Sequence, residues 1–313
     1  MARAKYAKEQ VNLYHPRFVG YWLLLGGLWL VVQVLPQKGR MALGAGLGRL
    51  LLACLPYRRK IVAINIAKAF PELDTDGQRR LLRAFARSLG MGVMETAMAW
   101  FLSERRLRGL CRFEADEKAL ALLEDKQQAV VLLGLHSTLL ELGVRLLGLN
   151  VDSAGMYKPL RNRFFDAWIY HQRSRAATRL VQATDMRQTL RILAQGENLW
   201  YALDQDMGVR ASVFAPFFGI EAASVNILPR LKQKTGARWV PVFIWRERGG
   251  RGYVVRVYPE VDLGEKASDV AVMTEVNRLF EQEIRRYPEQ YYWVHRRFKH
   301  RPDGQAHEYP NRR

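Results

Sequence analysis

The stretch AVVLLGLHSTLLELG, residues 129–143, decides the fold and contains the first candidate site. Its apolar run 129–135 is short and rich in branched aliphatic residues, which predicts a strand buried on both faces. The leucine-rich segment after it predicts a helix over 137–148, with a Ser-Thr pair as candidate caps. In open α/β sheets ligands bind beyond the carboxyl ends of the strands, so we expect His136 at the functional edge of the sheet.

Two ionisable side chains in this stretch, His136 and Glu141, are five residues apart. A histidine followed by an acid at this spacing arises easily by chance, so the spacing alone is a weak motif. None of the other five histidines has an acid at this position, and only His136 ends a predicted buried strand. Two interpretations remain open: a catalytic pair, or a structural histidine beside a Glu141 that closes a capping box with Thr138 or pairs with Arg145.

The composition restricts both the class of protein and its partners. The chain has 313 residues, 49% of them hydrophobic, which is enough for one large domain or one domain with an anchor. An excess of 49 Lys and Arg over 30 Asp and Glu gives a net charge of +19. This charge implies a polyanionic partner, such as nucleic acid, anionic lipid headgroups or an acidic carrier protein. The two cysteines, Cys54 and Cys111, cannot build a disulfide framework or a metal cluster and fit a reducing compartment.

The N-terminal segment differs from the rest of the chain. After a basic leader, residues 18–35 form an uncharged run that would extend about 27 Å as a helix, close to one bilayer hydrocarbon thickness. We interpret this run as an uncleaved anchor, because it is long for a signal peptide and no small-residue cleavage site follows. The next apolar segment, 41–55, is expected to be re-entrant or interfacial. Residues 1–56 are thus predicted to form the anchor and interfacial segment, and residues 57–313 the catalytic domain.

The remainder of the chain reads as an α/β domain. Residues 74–112 are helical in pattern, with an apolar stripe and several arginines elsewhere on the surface. From residue 128 onward strand and helix patterns alternate. The predicted strands are 129–135, 179–183, 198–203, 238–245 and 253–258. The predicted helices are 137–148, 162–177, 185–195, 222–235 and 269–286.

Two further clusters fall where predicted strands end. The turn 157–166 is rich in cations and contains the candidate binding residues Arg161 and Asp166, although part of it also reads as an ordinary helix cap with solvated arginines. The second cluster contains two further candidate substrate-binding residues, Asp204 and Asp206. Paired acids of this kind can bind a divalent cation, but no further acid or histidine is nearby in sequence, so turn formation or arginine pairing is favoured over a metal site.

A third cluster, 288–301, interleaves aromatic with basic side chains and includes Arg296 and Arg297. Such a segment can stack on nucleobases, or it can hold phosphates and lipid chains at a membrane surface. Composition does not decide between the two. We treat Arg296 and Arg297 as candidate phosphate ligands.

Four segments together resemble a known family. They are HSTLLELG at 136–143, YALDQDMG at 201–208, SVFAPFFG at 212–219 and PEQYYWVHRRFKHRP at 288–302. They look like the lipid A late acyltransferase family of Gram-negative bacteria, its lauroyl-transferring branch in particular. The His-x4-acid spacing alone is shared with glycerolipid acyltransferases, whereas the other three segments are far more specific. The turn 157–166 is more basic than the family's pattern, because it contains Arg161 and Arg163.

The resemblance implies a fold and an activity. It implies a mixed sheet flanked by helices, with an N-terminal membrane-anchoring helix, at the cytoplasmic side of the bacterial inner membrane. The enzyme would move an acyl chain from acyl carrier protein onto a hydroxyacyl chain of a lipid A precursor. The resemblance implies no cofactor and no nucleic-acid partner.

The chemistry of acyl transfer assigns roles to the candidate residues. His136 would be the general base, and Glu141 would hold its ring tautomer. Backbone N–H groups at the start of the predicted helix 137–148, or Arg161, would stabilise charge on the thioester oxygen. A related glycerolipid or mannolipid acyltransferase and, from another class, a membrane-tethered nucleic-acid-binding protein remain the alternatives.

Overall fold

A computed structural model of the chain describes residues 11–250, 252–264, 266–304 and 307–310. Its strands, numbered in chain order, are β1 (Cys111–Ala115), β2 (Val130–Gly134), β3 (Ala154–Tyr157), β4 (Leu180–Gln182), β5 (Leu199–Ala202), β6 (Ser212–Phe217), β7 (Ile220–Val225), β8 (Arg238–Arg246) and β9 (Tyr253–Val257). Its α-helices are α1 (Val19–Val34), α2 (Gln37–Cys54), α3 (Pro56–Ala69), α4 (Thr75–Phe101), α5 (Glu104–Arg108), α6 (Glu117–Glu124), α7 (Leu140–Leu147), α8 (Arg163–Ser174), α9 (Met186–Ala194), α10 (Leu228–Thr235) and α11 (Asp269–Arg286).

A mixed sheet in the order β1-β9-β8-β2-β5-β3-β4 forms the centre of the fold. Its central strand β2 pairs in parallel with β5 and β8, whereas β8 and β9 are antiparallel. Successive residues of β2 enter opposite apolar clusters, Val131 and Leu133 on one face and Val130 and Leu132 on the other. This alternation is the reason why a continuous apolar run forms a strand buried on both faces. The predicted α/β class, with a mixed sheet flanked by helices, is confirmed.

Several predicted boundaries were wrong. The helix predicted over 222–235 begins only at Leu228, because β7 occupies the preceding residues and pairs with β6 in an antiparallel hairpin. Phe218 and Gly219 turn this hairpin with positive φ angles of 51° and 71°. The helical segment 74–112 ends before β1, which the sequence pattern did not predict, and β3 was also missed. Short apolar strands look like buried helix segments in sequence, which explains the errors at β3 (AGMY) and β7 (IEAASV).

The predicted N-terminal helix is present. Residues Pro16–Val34 form a 19-residue helical segment that is long and apolar enough, by length and composition, to cross a membrane. Of its most apolar 18-residue stretch, 17% is buried. Among its large apolar side chains, Leu23, Leu30 and Val34 are exposed. The basic leader with Arg3, Lys5 and Lys8 lies outside the described residues.

The second apolar segment, which the sequence predicts to be re-entrant or interfacial, belongs to one continuous helix, α2. This helix packs against α4 through glycines on both sides of the interface. A Cβ atom on Gly48 would meet the backbone oxygen of Ala86, and one on Gly90 would meet that of Gly44. The glycines therefore allow the two backbones to approach closely, which explains why they interrupt the apolar run.

Replacing Gly48 tests this helix contact. We expect Gly48→Ala to lower the melting temperature of the full-length protein in detergent, since overpacking against a backbone costs about 1–3 kcal/mol. Gly46 lies on the same helix with no atom within 4 Å of the added Cβ, so Gly46→Ala is the matched control. The control should be unchanged or more stable by up to about 1 kcal/mol. Equal melting temperatures for the two variants would contradict the close approach of α2 and α4.

Candidate active site

His136 and Asp204 come together because β2 and β5 are parallel neighbours in register. Gly134 pairs with Ala202, and each functional residue follows two positions later. Asp204 Oδ1 accepts one hydrogen bond from the backbone N–H of His136 at 3.0 Å and another from its Nδ1 at 2.7 Å. The side chain of Asp204 is 1% exposed, and that of His136 is 23% exposed. The site is therefore an imidazole that a buried carboxylate orients through Nδ1. The side chain that carries the other ring nitrogen, Nε2, is partly exposed.

The electrostatics of the pair keep Asp204 ionised. Burial opposes ionisation, yet the pKa of Asp204 is lowered overall, because the charge and hydrogen bonds of His136 and the charge of His295 outweigh burial. Burial raises the pKa of the neighbouring Tyr291 well above its usual value, and the negative charge of Asp204 adds to this shift. An ionised carboxylate accepts the Nδ1–H of His136, which leaves the lone pair of the neutral ring on Nε2.

Gln205 joins two histidines through one amide group. Its Nε2 lies 2.9 Å from Nε2 of His136 and 2.8 Å from Nε2 of His295. One NH₂ group can donate to both rings when both are neutral acceptors. Burial lowers the pKa of His295 to about 4, and the charges of His136 and Arg58 act in the same direction. Gln205 therefore occupies Nε2 of His136, the ring nitrogen that faces away from Asp204.

Asp206 forms a second carboxylate-histidine pair. Its Oδ1 lies 2.6 Å from Nδ1 of His300, and its Oδ2 accepts the backbone N–H of His300 at 2.8 Å. The pair connects the turn after β5 to the C-terminal segment. Both acids of this turn are thus engaged with histidines, and among the described residues no group of three or more Asp, Glu, His or Cys side chains is placed to hold a metal ion.

Glu141 does not make the hydrogen bond that the sequence suggested. Its Oε1 accepts from Arg173 Nη2 at 2.5 Å, and both carboxylate oxygens lie 3.2 Å from Arg173 Nε. Burial disfavours the charge of Arg173, but Glu141 more than offsets this effect and the pKa of Arg173 is raised. The correction is therefore specific: Asp204, not Glu141, orients the ring of His136.

The structural alternatives for Glu141 are not formed either. Thr138 Oγ1 lies 2.8 Å from Ser88 Oγ, and Arg145 pairs with Glu104 at 2.6 Å. The helix α7 begins at Leu140 rather than at 137 and has no side-chain cap. Glu141 consequently lies in the first turn of this helix and is held by a residue of α8.

The turn after His136 is fixed from behind by a buried polar network. Thr138 donates its backbone N–H to the carbonyl of Gln290 at 2.8 Å. The side chain of Gln290 bonds to the backbone N–H and carbonyl of Arg246 at 2.8 and 2.9 Å. The guanidinium of Arg246 makes two 2.6 Å bonds to the buried carboxylate of Glu95. This chain of contacts connects the position of His136 to α4, β8 and the C-terminal segment.

The predicted binding residues of the turn 157–166 have different environments. Asp166 Oδ1 accepts from the hydroxyl of Tyr157 at 2.5 Å and from the N–H of Leu160 at 2.7 Å, so it closes the turn. Asn162 caps α8, as one reading of the sequence suggested. Arg161 is exposed and remains a candidate binding residue.

The structure separates the two candidate phosphate ligands of the C-terminal segment. Arg297 is 1% exposed, and it donates to the carbonyl of Ala223 at 2.7 Å and to Ser224 Oγ at 2.9 Å. Its guanidinium also lies 4.7 Å from the ring centre of Phe217. These contacts are incompatible with the predicted role of Arg297 as a surface phosphate ligand, because they hold the β6–β7 hairpin instead. Arg296 is half-buried and remains a candidate.

Three residues of the site had no role assigned from sequence: Arg173, Gln205 and His295. Gln205 and His295 lie inside two of the three more specific motif segments. The available signals were the position of Gln205 between two candidate acids and the position of His295 beside the basic run. Arg173 had no local signal, since it lies inside α8 and 32 residues away from its partner Glu141.

The buried neutral His295 makes stability depend on pH. The unfolded chain takes up a proton at this residue near the usual pKa of 6.5, whereas the folded chain does so only near 4. The contribution of neutral His295 to the free energy of unfolding is therefore fully present above about pH 6.5. It is lost as the pH falls toward 4, by up to about 3 kcal/mol. His295→Gln retains an acceptor for Gln205, so its free energy of unfolding should fall less between about pH 7 and pH 4.5, measured by denaturant titration. The same pH slope in both proteins would contradict a neutral His295.

Comparison with known proteins places the chain in a family. Residues 6–300 match a family model described as "Bacterial lipid A biosynthesis acyltransferase". The chain is 37% identical over 301 residues to the lipid A biosynthesis lauroyltransferase of Escherichia coli (strain K12), which covers 95% of this chain and 97% of that protein. It is 33% identical to the lipid A biosynthesis palmitoleoyltransferase of the same organism, over 97% of this chain and 98% of that protein. The chain therefore belongs to the bacterial lipid A biosynthesis acyltransferase family.

Proposed function

We propose that this acyltransferase moves a fatty acyl chain from acyl carrier protein onto the hydroxyl of a hydroxyacyl chain of a lipid A precursor. The observation that carries the proposal is the hydrogen-bonded pair of His136 and Asp204 at the carboxyl edge of the sheet, in a chain of this family. Acyl transfer from a thioester to a hydroxyl requires a base for the hydroxyl proton, and this pair supplies one.

The proposed reaction begins when the acceptor hydroxyl replaces Gln205 at Nε2 of His136. The ring accepts the hydroxyl proton as the oxygen attacks the thioester carbonyl, and Asp204 stabilises the imidazolium that forms. When the tetrahedral intermediate collapses, the carbon–sulfur bond breaks and Nε2 returns the proton to the leaving sulfur. A general base of this kind contributes about 10²–10⁴-fold to the rate.

Glu141 enters the proposal as a positioning residue. It lies at the start of α7, close in sequence to the base, and its carboxylate holds the guanidinium of Arg173. That guanidinium also lies 5.6 Å from the ring centre of Tyr157, the last residue of β3. We infer that Glu141 fixes a cation near the turn after β3, where a substrate reaching the sheet edge would pass.

The N-terminal helix and the net charge support a location of the enzyme at a membrane. The start of α1 packs on the start of α8, where Phe18 and Trp22 meet Phe164, and Asn162 donates to the hydroxyl of Tyr21 at 2.9 Å. An apolar helix is thus attached beside the turn after β3, which suits an acceptor that arrives from a bilayer. We propose an anchor within residues 1–56 in the bacterial inner membrane and a catalytic domain, 57–313, on the cytoplasmic side. The net charge of +19 would attract both anionic lipid surfaces and an acidic carrier protein.

Replacing Asp204 tests the proposed base. We expect Asp204→Asn to lower acyl transfer by about 10⁴-fold, because the amide cannot stabilise the imidazolium. The double variant with His136→Ala should be no worse than His136→Ala alone, since the two residues act as one unit. Asp206→Asn is the matched control, because it changes an equally buried carboxylate-histidine pair away from the base. Transfer from acyl carrier protein to a lipid A precursor is measured beside a thermal melt.

The same transfer assay, extended to Glu141→Gln and to lysophosphatidic acid as acceptor, has three outcomes that would contradict parts of the proposal. Equal turnover in Asp204→Asn and Asp206→Asn would remove Asp204 as the orienting residue. Near-wild-type turnover in Glu141→Gln would remove the role of Glu141. Faster transfer to lysophosphatidic acid than to the lipid A precursor would favour a glycerolipid acceptor.

The two neighbouring arginines of the C-terminal segment give a separate test. We expect Arg296→Ala to raise KM for the lipid acceptor while kcat and the melting temperature stay unchanged, because it removes binding shared by substrate and transition state. Arg297→Ala should lower the melting temperature, since it removes the hydrogen bonds that a charged donor makes to a buried carbonyl and a buried hydroxyl, at about 1.5–3 kcal/mol each. A lower melting temperature for both variants with unchanged KM would contradict a binding role for Arg296.

A further inference from the structure

Arg40, in the first turn of α2, is a buried cation for which the described residues provide no hydrogen-bond or salt-bridge partner. Its side chain is 5% exposed, and its Nε and Nη1 atoms are enclosed without a hydrogen-bond partner. No salt bridge involves Arg40 within the described residues. Charged groups in protein interiors are almost always paired, because burying an unpaired charge is strongly unfavourable. A partner from outside the chain would satisfy this guanidinium.

The surroundings of Arg40 include a second cation. Burial, and then the positive charge of Arg106, lower the pKa of Arg40, while Tyr253 acts in the opposite direction. Gln33 Oε1 accepts from Arg106 at 2.6 Å, and Gln37 Nε2 donates to the hydroxyl of Tyr253 at 3.1 Å. Within the described part of the chain, neither arginine forms a salt bridge with a carboxylate. The cluster is therefore built to receive an anion.

The start of α2 strengthens this field. The helix is 18 residues long, its N-cap is Pro36, and it has neither a side-chain cap nor an acid in its first turn. The first N–H groups of a helix have no partner inside the helix and carry a partial positive charge, which makes them suitable phosphate ligands. Helical side chains point back toward the N-terminus, so Arg40 lies over this same turn.

An apolar surface adjoins the cluster. Trp29, Leu30 and Val34 are exposed at the end of α1, and Leu43 is exposed one turn after Arg40 on α2. A free phosphate would use the cations but not these side chains. A lipid would use both, because its headgroup supplies the anion and its acyl chains cover the apolar residues.

We propose that Arg40, Arg106 and the first turn of α2 bind the phosphate of an anionic membrane phospholipid, whose acyl chains lie along the exposed apolar side chains of α1. This site is distinct from the acyl-transfer site and does not depend on the proposed reaction. It would fix the depth and orientation of the N-terminal helices at the membrane surface.

Arg40→Met tests the site in full-length protein in detergent. Phosphatidylglycerol added to mixed micelles should raise the melting temperature of the wild type in a saturable manner, whereas zwitterionic phosphatidylcholine should not. In Arg40→Met this increase should be lost. Without lipid the variant should melt at the same temperature as the wild type or higher, because it removes an unpaired buried charge. Arg49→Met is the matched control: Arg49 is exposed on the same helix, so its removal should leave the lipid-dependent increase intact.

The alternatives give opposite results. A structural Arg40 would give a variant with a lower melting temperature without lipid and an unchanged response to phosphatidylglycerol, which would overturn the proposal. An equal loss of response in Arg49→Met would also overturn it, since that result indicates a diffuse surface charge. A response lost with a phosphorylated lipid A precursor, but not with phosphatidylglycerol, would assign the phosphate to the acceptor and overturn the phospholipid.

Discussion

The buried carboxylate of Asp204 is the constraint on which the rest of the site depends. A carboxylate that is 1% exposed must find hydrogen-bond donors inside the protein, and His136 supplies two of them, one from its backbone and one from its ring. Both donors are in reach only while β2 and β5 keep their register. The network of Gln290 and Arg246 behind the turn prevents His136 from moving away. The stability of the site and the orientation of the imidazole therefore have the same requirement, namely that the hydrogen bonds to Asp204 are kept.

Three consecutive residues after β5 show how this requirement is met. Asp204 and Asp206 each bind a histidine from another segment, and Gln205 between them bridges His136 and His295. Each contact joins the turn to a part of the chain that is distant in sequence. The bridge also keeps Nε2 of His136 hydrogen-bonded while both rings are neutral. In the proposed reaction, access of the acceptor hydroxyl to His136 is consequently coupled to the position of the Gln205 side chain.

The sequence predicted the parts of this site better than their arrangement. Both strands and both residues, His136 and Asp204, were identified from apolar runs that stop at polar side chains. Their contact was not predicted, because the order of strands in a sheet is set by packing across the whole chain. Glu141 was assigned to His136 because the spacing of two residues along the chain can be read from a sequence, whereas contacts between distant strands cannot. In the structure α7 starts at Leu140, so this carboxylate meets Arg173 of α8 instead.

The buried arginines are of two kinds, which differ in their hydrogen-bond partners but not in their exposure. Arg145, Arg246 and Arg297 are as buried as Arg40, but the fold gives each of them a carboxylate, a carbonyl or a hydroxyl as partner. Their charge is used in holding α5, α4 and the β6–β7 hairpin in place. Arg40 is equally enclosed and has no such partner among the described residues, which is the observation behind the proposed phosphate site. The pairing of each buried cation thus distinguishes Arg40 from the other buried arginines, whereas the net charge of the chain does not.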